Sequence, residues 1–326
     1  PGAVSKSSLK GCFDMKVIVV CGPTASGKTA LSVELATKLC GAVVSADSMQ
    51  VYKELNIGTA KPDESEKRGV CHYMLDVASV REEYSVSRYR QEASEYLDML
   101  ISRGIQPIVC GGTGLYIDAL IRGGEFLKRD ESGAERAALE EEWEKEGPDA
   151  MMERLKAIDP QSASRLHIND KKRIIRALEV YNLTGETITE HDRKSRKAPP
   201  RYQSVFIGVM PKDRQVLYDR INKRVDVMME RGLLNEVREL YEKGLLINTA
   251  AQAIGYKELF DYLEGRAGLE ESVELIKRKS RNYAKRQITW FGRDERVFWI
   301  KYEKDEGLDL IIDKATKFLS ENGVIL

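Results

Sequence analysis

One stretch near the start of the chain, residues 22–29 with the sequence GPTASGKT, restricts the possible folds more than any other. It matches the pattern G-x-x-x-x-G-K-[ST], follows the apolar run 17–20 and precedes apolar residues at helical spacing. A strand, a glycine loop and a helix in this order form a P-loop, in which backbone N–H groups at the head of the helix surround phosphate oxygens. The sequence therefore predicts a ligand with at least two linked phosphates, but the loop does not identify that ligand.

The residues of this loop have separate expected tasks. Gly22 and Gly27 let the backbone approach phosphate closely, Lys28 adds a positive charge, and the Thr29 hydroxyl is placed to hold Mg²⁺. We predict that the linked phosphates are bound by Gly22, Pro23, Thr24, Ala25, Ser26, Gly27, Lys28 and Thr29.

Further apolar runs have the length of buried strands and alternate with helical patterns; they lie at 42–45, 107–110, 204–209 and 297–300. This alternation predicts an α/β fold, with a P-loop NTPase-like parallel sheet and flanking helices. Ligands of such sheets bind beyond the carboxyl ends of the strands. Because the P-loop, Asp47 and Thr113 each follow a predicted strand, we expect them to share one edge of the sheet.

The stretch from 125 to 200 contains no strand-like run, is rich in charge and repeats apolar residues at helical spacing. We therefore predict an all-helical insertion domain at 125–200, which interrupts a core domain made of 15–124 and 201–326. The basic segment 193–200 is expected to be mobile. Residues 1–14 have no apolar segment of a secretory signal, and we expect a disordered leader there.

Composition excludes some partners and favours others. Lysine plus arginine and aspartate plus glutamate number 52 each, so nucleic-acid binding requires local basic patches. Three such patches lie at 171–176, 193–201 and 277–296, and Tyr283 and Trp290 are interleaved in the last one. One basic helix is usually a solvated face, but three patches in a neutral chain favour an RNA partner, whose bases stack on aromatic side chains.

The chain has no run of eighteen apolar residues, so we expect no membrane partner. The five cysteines form no C-x-x-C pair, which is typical of free thiols in a reducing compartment, and we predict a cytoplasmic protein. The three histidines lack the spacing of metal ligands. Nothing in the pattern indicates a dedicated dimer interface, so we expect a monomer.

Two sets of charged residues are candidates for chemistry. Asp47 follows a predicted strand near the P-loop, where a carboxylate serves as a magnesium ligand, a general base or an N-cap, and position alone leaves the three open. No other apolar run ends in such an aspartate, which argues against an ordinary ATPase. Arg220 and Arg224 would lie on one helix face and suit a diphosphate leaving group, although a solvated face paired with nearby aspartates fits the same spacing.

Taken together, these stretches resemble the tRNA dimethylallyltransferases of the bacterial type. Two positions depart from the family pattern: Ile168 stands where members usually have proline, and Gly292 follows Phe291 where an arginine is frequent. The resemblance covers nearly all of residues 16–302, and besides the P-loop it is carried by DSMQVY at 47–52, IGTAKP at 57–62, GGTGLY at 111–116, RIIRALEVY at 173–181, GYKE at 255–258 and AKRQITWF at 284–291.

The resemblance implies that a dimethylallyl group passes from dimethylallyl diphosphate to N6 of adenosine 37, beside the tRNA anticodon, with release of diphosphate. It implies that Asp47 takes the N6 proton, and that Thr24 with Arg220 or Arg224 stabilises the oxygen released when the C–O bond breaks. Mg²⁺ and the P-loop would hold the diphosphate. Contacts with the anticodon stem-loop are expected from Asp47, Ser48, Met49, Gln50, Thr113, Lys172, Arg173, Arg176, Gly255, Tyr256, Lys257, Lys285, Arg286, Gln287 and Trp290.

Two other functions fit part of the pattern. A small-molecule or nucleoside kinase that uses ATP shares the loop and the sheet, would release ADP and would not need the basic patches. An RNA-binding switch would change conformation with nucleotide and would leave the RNA unmodified. Analysis of tRNA nucleosides after incubation with dimethylallyl diphosphate separates the three functions.

Overall fold

A parallel β-sheet forms the centre of the computed structural model, which describes residues 15–123, 132–197, 199–245 and 249–325. Within these residues the strands are β1 (Val17–Cys21), β2 (Ala42–Ser45), β3 (His72–Tyr73), β4 (Pro107–Gly111), β5 (Ser204–Pro211) and β6 (Val297–Tyr302). Their order across the sheet is β3-β2-β4-β1-β5-β6, and each neighbouring pair is parallel. The predicted α/β class is confirmed.

The central strand β1 has the burial and the pairing that are typical of a parallel sheet. All five of its residues, VIVVC, are buried, as expected for a strand with helices on both faces of the sheet. Val20 lies opposite Cys110 of β4 on one side and Ile207 of β5 on the other. The strand missed by the sequence patterns is β3, because two residues are too few to show a hydrophobic period.

Helices follow the strands along the chain. Those of the segments around the sheet are α1 (Lys28–Lys38), α2 (Glu64–Lys67), α3 (Val86–Ser102), α4 (Gly114–Arg122), α9 (Arg214–Glu230), α10 (Leu233–Glu242), α11 (Lys257–Leu263), α12 (Leu269–Phe291) and α13 (Leu308–Glu321). The four between them in sequence are α5 (Ala134–Ile158), α6 (Pro160–Ala163), α7 (Lys171–Thr184) and α8 (Ile188–Lys197).

The two faces of the sheet have separate apolar cores. One core contains Leu97 of α3 and Ile276 of α12, and the other contains Leu35 of α1 and Leu319 of α13. Helices α12 and α13 therefore pack on opposite faces. This arrangement leaves the carboxyl ends of β1, β2 and β4 at one edge, where the loops that follow them meet.

Contacts divide the chain into two compact units, Pro1–Ile121 with Tyr202–Leu326, and Arg122–Arg201. The second unit is helical and has its own core, which includes Leu139, Met151 and Leu178. Its longest helix, α5, bends at Gly147, because a φ of 79° lies outside the range of an α-helix. Pro148, which follows Gly147, also interrupts the helical hydrogen bonds. The expected leader, residues 1–14, lies outside the described residues.

The second unit also contains the basic segment 193–200. The segment 193–200 was expected to be mobile, but its first five residues form the last turns of helix α8. The Lys194 ammonium lies 2.9 Å from a carboxylate oxygen of Glu186, which places an ion pair across the preceding turn. Among the described residues, no helix combines the length and the apolar character that crossing a membrane requires.

Candidate active site

The P-loop between β1 and α1 has the backbone shape that phosphate binding requires. Gly22 has a φ of 135°, and a Cβ there would lie 2.6 Å from the carbonyl oxygen of Val209, so only glycine fits. Gly27 has a φ of 95° at the N-terminus of α1. The loop thus leads directly into the N-terminus of a helix, which is a favourable place for phosphate oxygens.

Lys28 lies over this loop. Its ammonium donates a hydrogen bond of 2.6 Å to the carbonyl oxygen of Pro23. Burial lowers the pKa of Lys28 from 10.5 to about 8, and the nearby Arg224 guanidinium acts in the same direction, whereas Asp47 opposes it. A diphosphate next to Lys28 would favour the charged ammonium again.

Gln287 of α12 joins the P-loop to the end of β4. Its Oε1 accepts a hydrogen bond of 2.8 Å from the N–H of Thr24, and its Nε2 donates one of 3.0 Å to the carbonyl oxygen of Gly112. The side chain is buried. Gln287 was predicted to contact tRNA, but here its amide faces the protein interior and positions Thr24.

The two arginines of α9 have different partners. The Arg224 guanidinium donates a hydrogen bond of 2.9 Å to the Thr24 hydroxyl, while Arg220 donates to the hydroxyl of Tyr302 and lies 5.1 Å from the centre of its ring. The Tyr302 hydroxyl in turn donates to the carbonyl oxygen of Ser26 at 3.0 Å. Arg224 is therefore the arginine that the structure brings to Thr24, and Arg220 is linked to the P-loop through Tyr302.

Burial lowers the pKa of Arg224, and the carboxylates of Glu66 and Asp47 oppose this shift. An arginine remains charged at neutral pH even after such a shift, because its ordinary pKa is above 12. Arg224 therefore brings a permanent positive charge to the Thr24 hydroxyl.

Asp47 stands directly after β2 and holds the turn that follows. Its Oδ1 accepts hydrogen bonds from the N–H of Met49 at 2.9 Å and of Gln50 at 3.4 Å. No hydrogen bond of Oδ2 is found within the described part of the chain. The N–H of Ser48 donates to the Thr113 hydroxyl at 3.1 Å, which joins this turn to the end of β4. The geometry matches a carboxylate with one oxygen fixed and the other open for proton transfer.

A cavity of about 240 Å³ brings these groups together. Asp47, Thr24 and Arg224 line it with polar groups, and Tyr283 and Arg286 of α12 add a phenol and a second guanidinium. The remaining wall includes a set of apolar side chains, namely Met49, Ile221, Val225, Met228, Ala253, Ile254 and Ile276. The cavity can hold a ligand that has an anionic end beside Thr24 and Arg224 and a short apolar part.

Sequence patterns did not find this apolar wall. Ile221, Val225 and Met228 recur at the spacing of an ordinary buried helix face, so the pattern gives no reason to separate them from the core. The only available signal was position, since they lie on the same helix as Arg224.

The residues predicted to contact tRNA fall into two groups. Lys172, Arg173, Lys257, Lys285 and Arg286 are exposed, and Trp290 is 46% exposed with its indole against Gly114. A second set has partners within the protein: Gln50 donates to the carbonyl oxygens of Thr59 and Ala60, Tyr256 is buried, the N–H of Gly255 donates to Glu258, and half-buried Arg176 pairs with buried Glu179.

Comparisons with known proteins identify the family of this chain. A family model described as IPP transferase matches residues 50–294. A tRNA dimethylallyltransferase of Acetivibrio thermocellus is 47% identical over 311 residues, which cover 95% of this chain and 99% of that protein. The chain belongs to the IPP transferase family. The predicted family is confirmed.

Further members of the family agree. A tRNA dimethylallyltransferase of Geobacillus thermodenitrificans is 43% identical over 94% of this chain and 96% of its own length. The crystal structure of a tRNA isopentenylpyrophosphate transferase from Bacillus halodurans matches with a TM-score of 0.71 and 40% identity, over 94% of this chain and 96% of that one. A eukaryotic dimethylallyltransferase acting on tRNA matches with a TM-score of 0.81 and 30% identity, over 94% and 80%.

Proposed function

We propose that this protein transfers a dimethylallyl group from dimethylallyl diphosphate to N6 of adenosine 37 of tRNA and releases diphosphate. The observation that carries the proposal is the cavity, in which the Asp47 carboxylate, Thr24 of the P-loop and an apolar wall meet. A five-carbon chain joined to a diphosphate has the same division into an apolar and an anionic part. Family membership supports the same reaction.

The reaction needs one bond to form and one to break. The N6 lone pair attacks C1 of the dimethylallyl group, the C1–O bond breaks, and its electron pair leaves with the diphosphate. An exocyclic amine is a weak nucleophile, so a base that accepts the N6 proton accelerates the step. Asp47 is the proposed base, through the Oδ2 that its turn leaves open.

Thr24 and Arg224 act at the other end of the breaking bond. Negative charge develops on the bridging oxygen, and donors fixed in advance stabilise such charge more than flexible ones do. The hydrogen bond from Arg224 to the Thr24 hydroxyl and the bond from Thr24 N–H to Gln287 hold this pair in place. Lys28 and the loop amides would bind the remaining phosphate oxygens.

Mg²⁺ is part of the proposal, and the residues present fit it. Mg²⁺ is usually bound by one or two protein oxygens together with substrate phosphates and water, rather than by a cage of protein ligands. Thr29 in the first turn of α1 offers such an oxygen, and the described residues contain no group of three or more histidine, cysteine, aspartate or glutamate side chains that could form a cage. The ion would add positive charge to the departing diphosphate.

The partner is proposed to be the anticodon stem-loop of tRNA, bound by a monomer. The target base has to leave its stack to reach the cavity, and this costs least in a loop. Exposed cations and Trp290 on α12, near the cavity-lining Arg286, suit an RNA backbone and a stacked base.

The deciding experiment is incubation of unmodified tRNA with the protein, dimethylallyl diphosphate and Mg²⁺, followed by digestion and mass spectrometry of the nucleosides. We expect adenosine that is heavier by one C5H8 unit, at position 37 only, and an equal amount of diphosphate. Unmodified adenosine here, together with release of ADP in a parallel incubation with ATP, would support the kinase instead.

A further inference from the structure

Several hydrogen bonds converge on the carboxylate of Glu236 in helix α10. It accepts from the backbone N–H groups of Asn56 at 3.2 Å, Ile57 at 3.0 Å and Gly58 at 3.2 Å. The hydroxyl of Tyr256 donates to the same carboxylate at 2.5 Å. Hydrogen bonds to an ionised acceptor are roughly twice as strong as neutral ones. One side chain thus fixes three successive residues of a loop to a helix distant in sequence.

The same loop also lies against the ring of Tyr256. A Cβ at Gly58 would be 2.4 Å from that ring, so the backbone touches the aromatic face where only glycine fits. Tyr256 itself is completely buried. The Tyr256 ring and the Glu236 carboxylate together fix the position of the backbone at residues 56–58.

This position matters because the loop forms part of the cavity wall. Gly58 and Thr59 line the cavity together with Arg224, whereas Glu236 is not among the residues that line it. The far side of the loop is held as well, since Gln50 donates to the carbonyl oxygen of Thr59 at 3.2 Å. Glu236 therefore acts on the cavity through the residues that it holds, of which Gly58 is part of the cavity wall.

We propose that Glu236 and Tyr256 are positioning residues, which hold the loop 56–59 closed on the donor cavity and keep water away from C1 of the donor. The inference rests on the proposed function. If water enters, its oxygen forms the new bond to C1, the C1–O bond to diphosphate breaks, and the water proton goes to solvent. The products are then dimethylallyl alcohol and diphosphate, and the tRNA is unchanged.

The test compares Glu236→Gln with Glu239→Gln. The first variant keeps the size of the side chain but replaces an acceptor by an NH₂ group that opposes the loop N–H donors. The second removes the same charge from the same helix at an exposed residue whose carboxylate lies 3.5 Å from Lys243. We measure the KM for dimethylallyl diphosphate, and the ratio of dimethylallyl alcohol to prenylated tRNA.

We expect Glu236→Gln to raise the KM by about tenfold, which corresponds to the loss of one hydrogen bond to a charged group. The ratio of alcohol to prenylated tRNA should rise in the same variant, while Glu239→Gln should match the wild type in both. A general loss of stability would lower both products together and would not change their ratio.

Two further variants keep the test valid if Glu236→Gln does not fold. Tyr256→Phe removes the hydrogen bond from its hydroxyl to Glu236, and Gly58→Ala pushes the loop off the ring while the Glu236 side chain stays unchanged. Both should raise the ratio of alcohol to prenylated tRNA. An unchanged ratio and KM in the folded variants would overturn this inference while leaving the proposed function intact. A wild type that does not prenylate tRNA would instead overturn the proposed function.

Discussion

At the scale of single residues, Asp47 combines two tasks in one carboxylate. Oδ1 holds the turn through Met49 and Gln50, and Oδ2 is the proposed acceptor of the N6 proton. Asp47→Asn separates the tasks, because asparagine keeps a turn acceptor and loses the base. We expect the single-turnover rate to fall by about 10²–10⁴-fold, with tRNA affinity within a few fold. A variant with more than half of the wild-type rate would rule out the base role.

Lys28 makes binding of the donor depend on pH. Its pKa of about 8 in the free protein is below the ordinary 10.5 because of burial, and a bound diphosphate should raise it again. Binding at pH 8.5 should therefore take up protons, and binding near pH 6.5 should take up none at this group. Calorimetry in buffers of different ionisation enthalpy measures the uptake, and Lys28→Met should abolish it.

The same pKa has a consequence for stability. Between pH 8 and 10.5 the unfolded chain holds a proton on Lys28 that the folded protein has released. The contribution of Lys28 to the free energy of unfolding therefore rises with pH across this window, and its cost is fully present below pH 8.

At the scale of elements, helix α12 has two functional faces. Ile276, Ala284 and Gln287 are buried, while Lys285 and Trp290 are exposed. If Lys285 contacts a tRNA phosphate, Lys285→Ala should flatten the slope of log affinity against log salt by roughly 0.7–0.9. Lys317→Ala is the matched control, since Lys317 is exposed on α13 at the opposite face of the sheet. Equal slopes for both variants would mean that α12 does not meet the RNA backbone.

Trp290 should respond differently from Lys285. Replacing a stacking aromatic side chain by alanine costs about 1–3 kcal/mol of binding free energy per base and releases no counterions. Trp290→Ala should therefore weaken tRNA binding without changing the salt slope. Because the Trp290 indole is 46% exposed, the melting temperature of the variant and its affinity for the donor should stay close to those of the wild type. A joint loss of stability and donor binding would show that Trp290 acts through packing.

The elements that sequence reasoning predicted well are those with a local signal. In the P-loop, Gly22 and Gly27 have positive φ, and the backbone of Gly22 lies too close to Val209 for a side chain to fit. Strand β1 is a continuous apolar run. Whether a polar side chain on a helix faces the protein interior or an RNA partner has no such local signal in the sequence. Gln287 and Tyr256 were expected to contact RNA because of the family resemblance, and their partners in the structure, Thr24 and Glu236, are distant in sequence.

At the scale of the whole molecule, the first and last residues of the helical unit lie next to each other. The N–H of Arg201 donates to the carbonyl oxygen of Arg122 at 3.2 Å, and that of Tyr202 to Ile121 at 3.4 Å. Replacing 123–200 by a short Gly-Ser linker should therefore leave the sheet unit folded, with unchanged donor affinity. We expect strongly reduced tRNA affinity, because the exposed cations Lys172 and Arg173 leave with the unit. Full tRNA affinity in a folded deletion variant would contradict its proposed role.

The position of β1 between β4 and β5 also affects how the protein is synthesised. One edge of β1 pairs with β4, but the other edge stays unpaired until β5, which begins at Ser204, has been synthesised. At about 5–20 residues per second, a ribosome needs on the order of ten seconds or more to reach it. The nascent chain therefore exposes an unpaired apolar strand edge during synthesis of the intervening helices, which is the stage when chaperone binding protects it most.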